Sequence, residues 1–173
     1  MAALRLRPLG PGDEQAFLAA QAAMEPEGFA FGFDHEGGTH WPDYLRLLES
    51  HERGEALAEG RVRAALRVAD VGGELVGRTS IRIELNTWLA EVGGHIGYCV
   101  LPGHRRQGYA TEILRQSLAI AHEAGIPSAL LTCDDDNTGS RGVIERCGGR
   151  FERHADNPDG PLKRRYWVPT VPS

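Results

Sequence analysis

The chain has 173 residues, 41% hydrophobic and 25% charged, with 19 Lys plus Arg against 24 Asp plus Glu for a net charge of -5. This composition fits one globular domain large enough to bury its own core, and the acidic balance argues against nucleic-acid binding, which needs a basic face. Cys99, Cys133 and Cys147 form no CxxC pair, so neither a disulfide framework nor a cysteine zinc site is indicated, and reduced intracellular thiols are the simplest reading.

Met1 to Pro8 carry charge with no long apolar stretch behind it and do not read as a signal peptide. No window approaches the roughly 20 apolar residues of a membrane span. The sequence therefore predicts a cytoplasmic protein with no membrane partner. No repeat or low-complexity linker divides it, which predicts a single domain over residues 1–173.

In chain order, Leu4 to Pro8 reads as a short strand and Gly12 to Met24 as a helix, with Asp13 as N-cap and Phe17, Leu18 and Gln21 at helical spacing. Residues 25–40 set Phe29, Phe31 and Phe33 among glycines and read as an irregular aromatic loop, and Trp41 to Ser50 reads as a second helix. Three strands follow: Val62 to Ala69, Glu74 to Leu85 and Val92 to Leu101. In the second, Ile81, Ile83 and Leu85 alternate with Ser80, Arg82 and Glu84, the period of a strand with one buried face. Tyr109 to Ala124 is a helix striped by Ile113, Leu114, Leu118 and Ala121 and stopped by Gly125 and Pro127. Ser128 to Cys133 is a compact apolar strand, and residues 138–147 are a helix closed by Gly148-Gly149. Two last strands lie near Arg150 to His154 and Lys163 to Val168. An antiparallel meander followed by alternating strands and helices predicts a three-layer α/β (α+β) sandwich around a mixed, mostly antiparallel central sheet.

Arg105-Arg106-Gln107-Gly108-Tyr109-Ala110 lies between a strand and a helix. A helix start offers unpaired N–H groups and the positive end of the dipole to an anion. Gly108 would let a phosphate approach the backbone, Ala110 keeps the next contact small, and Arg105 and Arg106 add local positive charge. On spacing alone, a phosphate site and a basic helix start without a ligand stand as equal alternatives.

The context of this turn favours the first. Arg105-x-x-Gly108-x-Ala110 resembles the Arg/Gln-x-x-Gly-x-Gly/Ala signature of the GNAT N-acetyltransferase superfamily. Gly94-His95-Ile96-Gly97-Tyr98-Cys99-Val100-Leu101-Pro102 looks like that family's fourth strand, and Asn137-Thr138-Gly139-Ser140 is similar to the Asn-x-x-Ala/Ser start of its following helix. Gly148-Gly149-Arg150-Phe151 resembles the close of the same helix. The resemblance centres on residues 92–151 and extends to about 62–168; within the family the chain looks like a bacterial subgroup.

What the resemblance implies is the acyl-CoA N-acyltransferase fold, with the fourth and fifth strands splayed around acetyl-CoA. By carry-over, backbone groups of Cys99 and Leu101, with Val100 between them, pair with the pantetheine amides. Gln107, Gly108, Tyr109, Ala110 and Thr111 hold the pyrophosphate beside Arg105 and Arg106, and Asn137 with Ser140 touches the pantetheine arm. Asn137 reads equally as a plain N-cap.

Acetyl transfer to an amine by direct attack in a ternary complex needs positioning, a proton acceptor and stabilisation of the developing oxyanion. His95 stands where several members carry a glutamate base, although a lone strand histidine is more often a packing residue; Glu84 is the second candidate. Many members place a tyrosine acid where this chain has Ile144, so the acid stays unassigned among Tyr98, Tyr109 and Tyr166. The implied function is an acetyl-CoA-dependent N-acetyltransferase acting on a primary amine without a metal; the alternative is a non-catalytic CoA-binding sensor. The acceptor, a small-molecule or peptide amine, is expected at residues 25–50 and 84–91. Phe29, Phe31, Phe33 and Trp41 read more readily as a satellite core than as its pocket. Family analogy allows a homodimer. Asp134-Asp135-Asp136 reads as turn and cap chemistry rather than a metal site, and Lys163-Arg164-Arg165 as a solvated strand edge.

Overall fold

The computed structural model describes residues 3–171. Their elements are β1 (Leu4–Arg7), α1 (Glu14–Met24), α2 (Trp41–Arg53), β2 (Ala64–Val71), β3 (Glu74–Arg82), β4 (Ile96–Val100), α3 (Tyr109–Glu123), β5 (Ser128–Asp134), α4 (Thr138–Arg146), β6 (Arg150–Ala155) and β7 (Lys163–Pro169). The strands form two antiparallel sheets, β1-β2-β3-β4 and β5-β7-β6, which meet where β4 passes β5. Helices cover both faces, giving the expected three layers. Phe17, Met24, Trp41 and Tyr44 of α1 and α2 pack with Phe31, Val68 and Cys99 on one side; Leu114 and Leu118 of α3 and Ile144 of α4 pack with Ile81, Leu131 and Tyr166 on the other.

Coverage of both faces explains where the strand reading fails. The alternation in β3 predicts a wet face, yet Arg78 and Ser80 are buried and Arg82 is half-buried, because the loop carrying Phe29 to Asp34 folds over that face. A sheet sandwiched on both sides loses clean alternation. β3 also ends early: the Arg82 amide donates to the His95 carbonyl at 2.7 Å as a last rung, and the Ile83 amide turns away to Arg63. Glu84 therefore sits exposed in a bend beyond the strand. Lys163-Arg164-Arg165 is not a solvated edge, since β7 is the middle strand of its sheet and Arg165 is buried against Glu152 at 2.8 Å. Asp134 and Asp135 pair with Lys163 and Arg164.

The expected strand Val92 to Leu101 begins only at Ile96, because Leu89–Gly93 coil into a π-turn. Gly94 then takes φ +71° and ψ -178°, backbone open only to glycine. A Cβ there would lie 2.5 Å from the Leu130 carbonyl oxygen. This close pass lets His95 join the two sheets. Its amide donates to the Leu130 carbonyl at 2.7 Å, and the Leu130 amide donates back to the His95 ring at Nδ1, 2.9 Å away. A side chain thus supplies the acceptor that a strand carbonyl would give, and β4 and β5 share no ladder among the described residues. With Nδ1 accepting, the neutral ring carries its proton on Nε2. Burial and the nearby Arg82 guanidinium hold the ring below the usual histidine range.

Replacing Gly94 by alanine should destabilise the fold by about 1–3 kcal/mol from backbone strain alone, with the Leu130 clash added; chemical denaturation checks this. The His95 joint has a pH signature. A folded-state pKa below the ordinary value of about 6.5 means the unfolded chain binds more protons as pH falls through that range, so stability drops toward acid by at most about 1.4 kcal/mol per pH unit. His95→Gln retains an acceptor for Leu130 but removes the titration. Its unfolding free energy should fall less than the wild type's between pH 7 and 5, and parallel curves would count against a buried neutral ring.

Candidate active site

Where β4 and β5 part, a groove of about 710 Å³ opens. Every expected cofactor-binding residue except Leu101 and Gln107 lines it: Cys99 and Val100 from β4, Arg105, Arg106, Gly108, Tyr109, Ala110 and Thr111 from the turn into α3, and Asn137 and Ser140 at the start of α4. Gln107 is exposed beside the turn.

The turn is shaped for an anion. Arg106 and Gly108 both hold left-handed backbone, φ +65° and +85°, and the Thr111 and Glu112 amides already bond the Gly108 carbonyl at 3.2 and 3.3 Å. The amides of Gly108, Tyr109 and Ala110 precede the first helical bond and have no partner among the described residues. Nothing lies within 4 Å of a Cβ built on Gly108. Paired left-handed residues with converging amides make an anion cradle, and the α3 dipole adds to it. Arg105 serves differently from its expected role beside the pyrophosphate. Its Nε donates to the Val100 carbonyl at 3.1 Å and its Nη2 to Glu27 at 2.8 Å, so its charge is already met across the mouth of the groove. Arg106 forms no ion pair among the described residues, and Arg146 of α4 faces the same hollow. Sequence reading missed Arg146; its signal is helical spacing, seven residues from the groove-lining Gly139.

The free edge of β4 is also one residue out of the expected register. Paired residues of an antiparallel ladder alternate between bonded and non-bonded. The Leu101 amide donates to Val76 at 2.9 Å and the Arg82 amide to His95 at 2.7 Å, so the bonded pairs between them are Arg78 with Cys99 and Ser80 with Gly97. Cys99 and Leu101 therefore turn their backbone groups toward β3, and the Leu101 carbonyl takes the His104 amide. Tyr98 and Val100 face the groove instead.

The Tyr98 hydroxyl lies 3.0 Å from that of Ser140, bridging the parted strand to α4. Burial pushes it up to about 12, so it stays protonated. Asn137 caps α4 by accepting the Ser140 amide at 2.9 Å while lining the groove, so cap and groove roles coincide. Ile144 is fully buried in the core, and Tyr166 is bound to Glu145 and Arg164. Burial raises the Cys99 thiol, which keeps it neutral.

Neither expected base lines the groove. The only acceptor nitrogen of neutral His95 is occupied by Leu130, and Glu84 points to solvent. A second hollow, about 240 Å³, lies on the α2 side of β3, with Phe33, Asp34, His51, Arg61, Arg78 and Arg82 in its wall. Asp34, at φ +56°, is ion-paired with Arg61 and lies 3.9 Å from Nδ1 of buried His51, which stacks on Phe33. Arg78 donates to the Phe31 and Ala30 carbonyls at 2.8 Å each and caps the Phe29 ring. Arg82 donates from Nη1 to the Gly93 and Gly94 carbonyls at 3.2 and 3.0 Å. Neither arginine has a carboxylate partner among the described residues. The aromatic loop thus divides: Phe31 and Trp41 are core, as expected, while Phe29 lines the groove and Phe33 the second hollow.

Comparison with known proteins agrees with this geometry. No curated protein sequence matches the chain. Among solved structures, Mycobacterium smegmatis RimJ in complex with CoA-disulfide superposes with a TM-score of 0.69 at 23% identity, covering 96% of this chain and 81% of that one. The microcin C7 self-immunity acetyltransferase MccE, bound to acetyl-CoA and AMP, gives 0.70 at 14%, covering 96% and 92%. A spermidine N-acetyltransferase SpeG chimera from Vibrio cholerae and hSSAT gives 0.61 at 16%, covering 96% and 95%. At these identities the likeness speaks to the fold. The profile of the acetyltransferase (GNAT) domain matches residues 3–150, most of the sequence, and the chain belongs to the GNAT acetyltransferase family.

Proposed function

We propose that this chain transfers the acetyl group of acetyl-CoA to a primary amine by direct attack in a ternary complex. The observation that carries the reading is the groove itself, open at Gly108 over unpartnered helix-start amides and edged by the outward backbone of Tyr98 and Val100. An acyl-CoA fits such a site: its pyrophosphate suits the amides and Arg106, and its pantetheine amides suit the free strand edge. The CoA ligands of the RimJ and MccE structures support the same reading.

Acetyl-CoA supplies a thioester carbonyl; the amine nitrogen bonds to it, the carbon–sulfur bond breaks, and sulfur leaves with the electron pair as thiolate. The Tyr98 hydroxyl, oriented by Ser140, is the donor available to that sulfur. The amine enters from the second hollow, whose wall holds His51 and Asp34, 3.9 Å apart, as the candidate proton acceptors. The acceptor is a small molecule or a peptide end. A cytoplasmic setting suits the free cysteines.

Calorimetric titration with acetyl-CoA, run beside thiol release over an amine panel, tests the whole reading. Binding with amine-dependent release is expected; binding without release from any amine would instead favour a CoA sensor. Gly108→Glu should abolish acetyl-CoA binding while circular dichroism stays native, and retained affinity would remove the site. Tyr98→Phe should lower kcat by about 10- to 100-fold, the worth of one hydrogen bond to a developing charge, with the dissociation constant for acetyl-CoA unchanged.

A further inference from the structure

The hollow on the α2 side of β3 has a charge opposite to that of the chain. Three guanidiniums, of Arg61, Arg78 and Arg82, line it against the single carboxylate of Asp34, in a protein of net charge -5. Arg61 is satisfied by Asp34, and Arg78 is held by the loop carbonyls of Ala30 and Phe31. Arg82 differs. Both of its recorded bonds leave from Nη1, to Gly93 and Gly94. Its Nε and Nη2, the side-on edge that matches a carboxylate or phosphate bidentately, have no partner among the described residues. Every fully buried side-chain nitrogen or oxygen among the described residues has a partner, so these two atoms reach open space. The guanidinium lies over Gly97 of β4, 3.6 Å from where a Cβ would stand, so no side chain at that position screens it from the strand beside the groove. The two carbonyls that fix Nη1 hold the fork in place before any ligand arrives, and Arg82 stays cationic at neutral pH although burial lowers it to about 10.

We infer that the acceptor is an amine bearing its own anionic group, a carboxylate or a phosphate, which docks on the Nε–Nη2 edge of Arg82. This rests on the acetyl-transfer reading above and narrows its acceptor. The net charge of -5 does not choose among amines; the local charge of the hollow does. Free amino acids and aminoalkyl phosphates meet the requirement; a polyamine, cationic at both ends, meets the uncompensated charge of Arg78 and Arg82.

The test uses matched pairs on the wild-type protein: amino acids against their amides, and aminoalkyl phosphates against the parent amino alcohols. The anionic member of at least one series is expected to have kcat/KM higher by on the order of 10- to 100-fold, the worth of a charge-assisted pair; which series responds distinguishes carboxylate from phosphate. Arg82→Gln should raise KM for that acceptor by a similar factor with acetyl-CoA affinity unchanged, and Arg82→Lys, keeping charge but losing the fork, should recover only part. Equal rates within the pairs, or preference for the neutral members, overturn the inference whether or not the variants fold. Acetyl-CoA binding, measured in the same samples by calorimetry, separates the two readings. Binding without charge preference sinks the anion site alone, and absence of binding sinks acetyl transfer with it.

Discussion

The two hydrogen bonds between His95 and Leu130, flanked by the Thr132 hydroxyl on the Val92 carbonyl, hold the start of β4 beside β5, and the strands part beyond them. Parted strands leave backbone donors and acceptors without partners, a condition tolerated only where water or a ligand meets them. The groove is therefore less a cavity carved into the fold than the consequence of a sheet that stops pairing. The joint in turn depends on Gly94, whose missing side chain lets the chain cross the Leu130 carbonyl. Gly94 and His95 together do what a regular ladder would undo: they keep the sheets adjacent without letting them zip.

Charge is distributed to suit the two hollows that result. Most arginines are neutralised by neighbours, Arg7 by Asp13 and Asp70 and Arg165 by Glu152. At Arg78 and Arg82, carbonyl dipoles take the place of carboxylates. Backbone oxygens hold Arg78 and the Nη1 of Arg82 and fix their orientation, yet they leave the net positive charge in place. A buried cation stabilised by dipoles alone remains a strong attractor for an anion. Across the groove mouth the Arg105–Glu27 pair does the reverse, cancelling a charge that the turn's amides and Arg106 do not need.

How much of this the sequence discloses depends on how far apart the cooperating residues lie. The turn at Gly108 is local: the glycine, the arginines beside it and the helix behind it fall within a few residues, and it stands where spacing puts it. The order of elements is equally plain, because turns and helix stops are written in glycines and prolines. The His95 joint is not, since its partner lies 35 residues away and nothing near His95 distinguishes a ring that accepts a strand amide from one that accepts a substrate proton. The register of β4 misleads for a related reason: only the pairing with β3 decides whether odd or even residues face outward. Arg82 is the clearest case. Alternation in β3 assigns it to solvent, and only the covering loop, some fifty residues earlier, turns that polar face into the wall of a hollow.

That loop has a further consequence. Phe29 lines the groove while Ala30 and Phe33 line the second hollow, so these few residues stand between the two hollows. Arg78 fastens the loop through the carbonyls of Ala30 and Phe31, groups that every amino acid supplies. The side chains facing the second hollow are thus separate from the carbonyls that fasten the loop to Arg78. Substitution at Phe33 or Asp34 can reshape the second hollow while the bonds to Arg78 keep the loop pinned to the sheet, so the lining of one hollow can change with the groove left as it is.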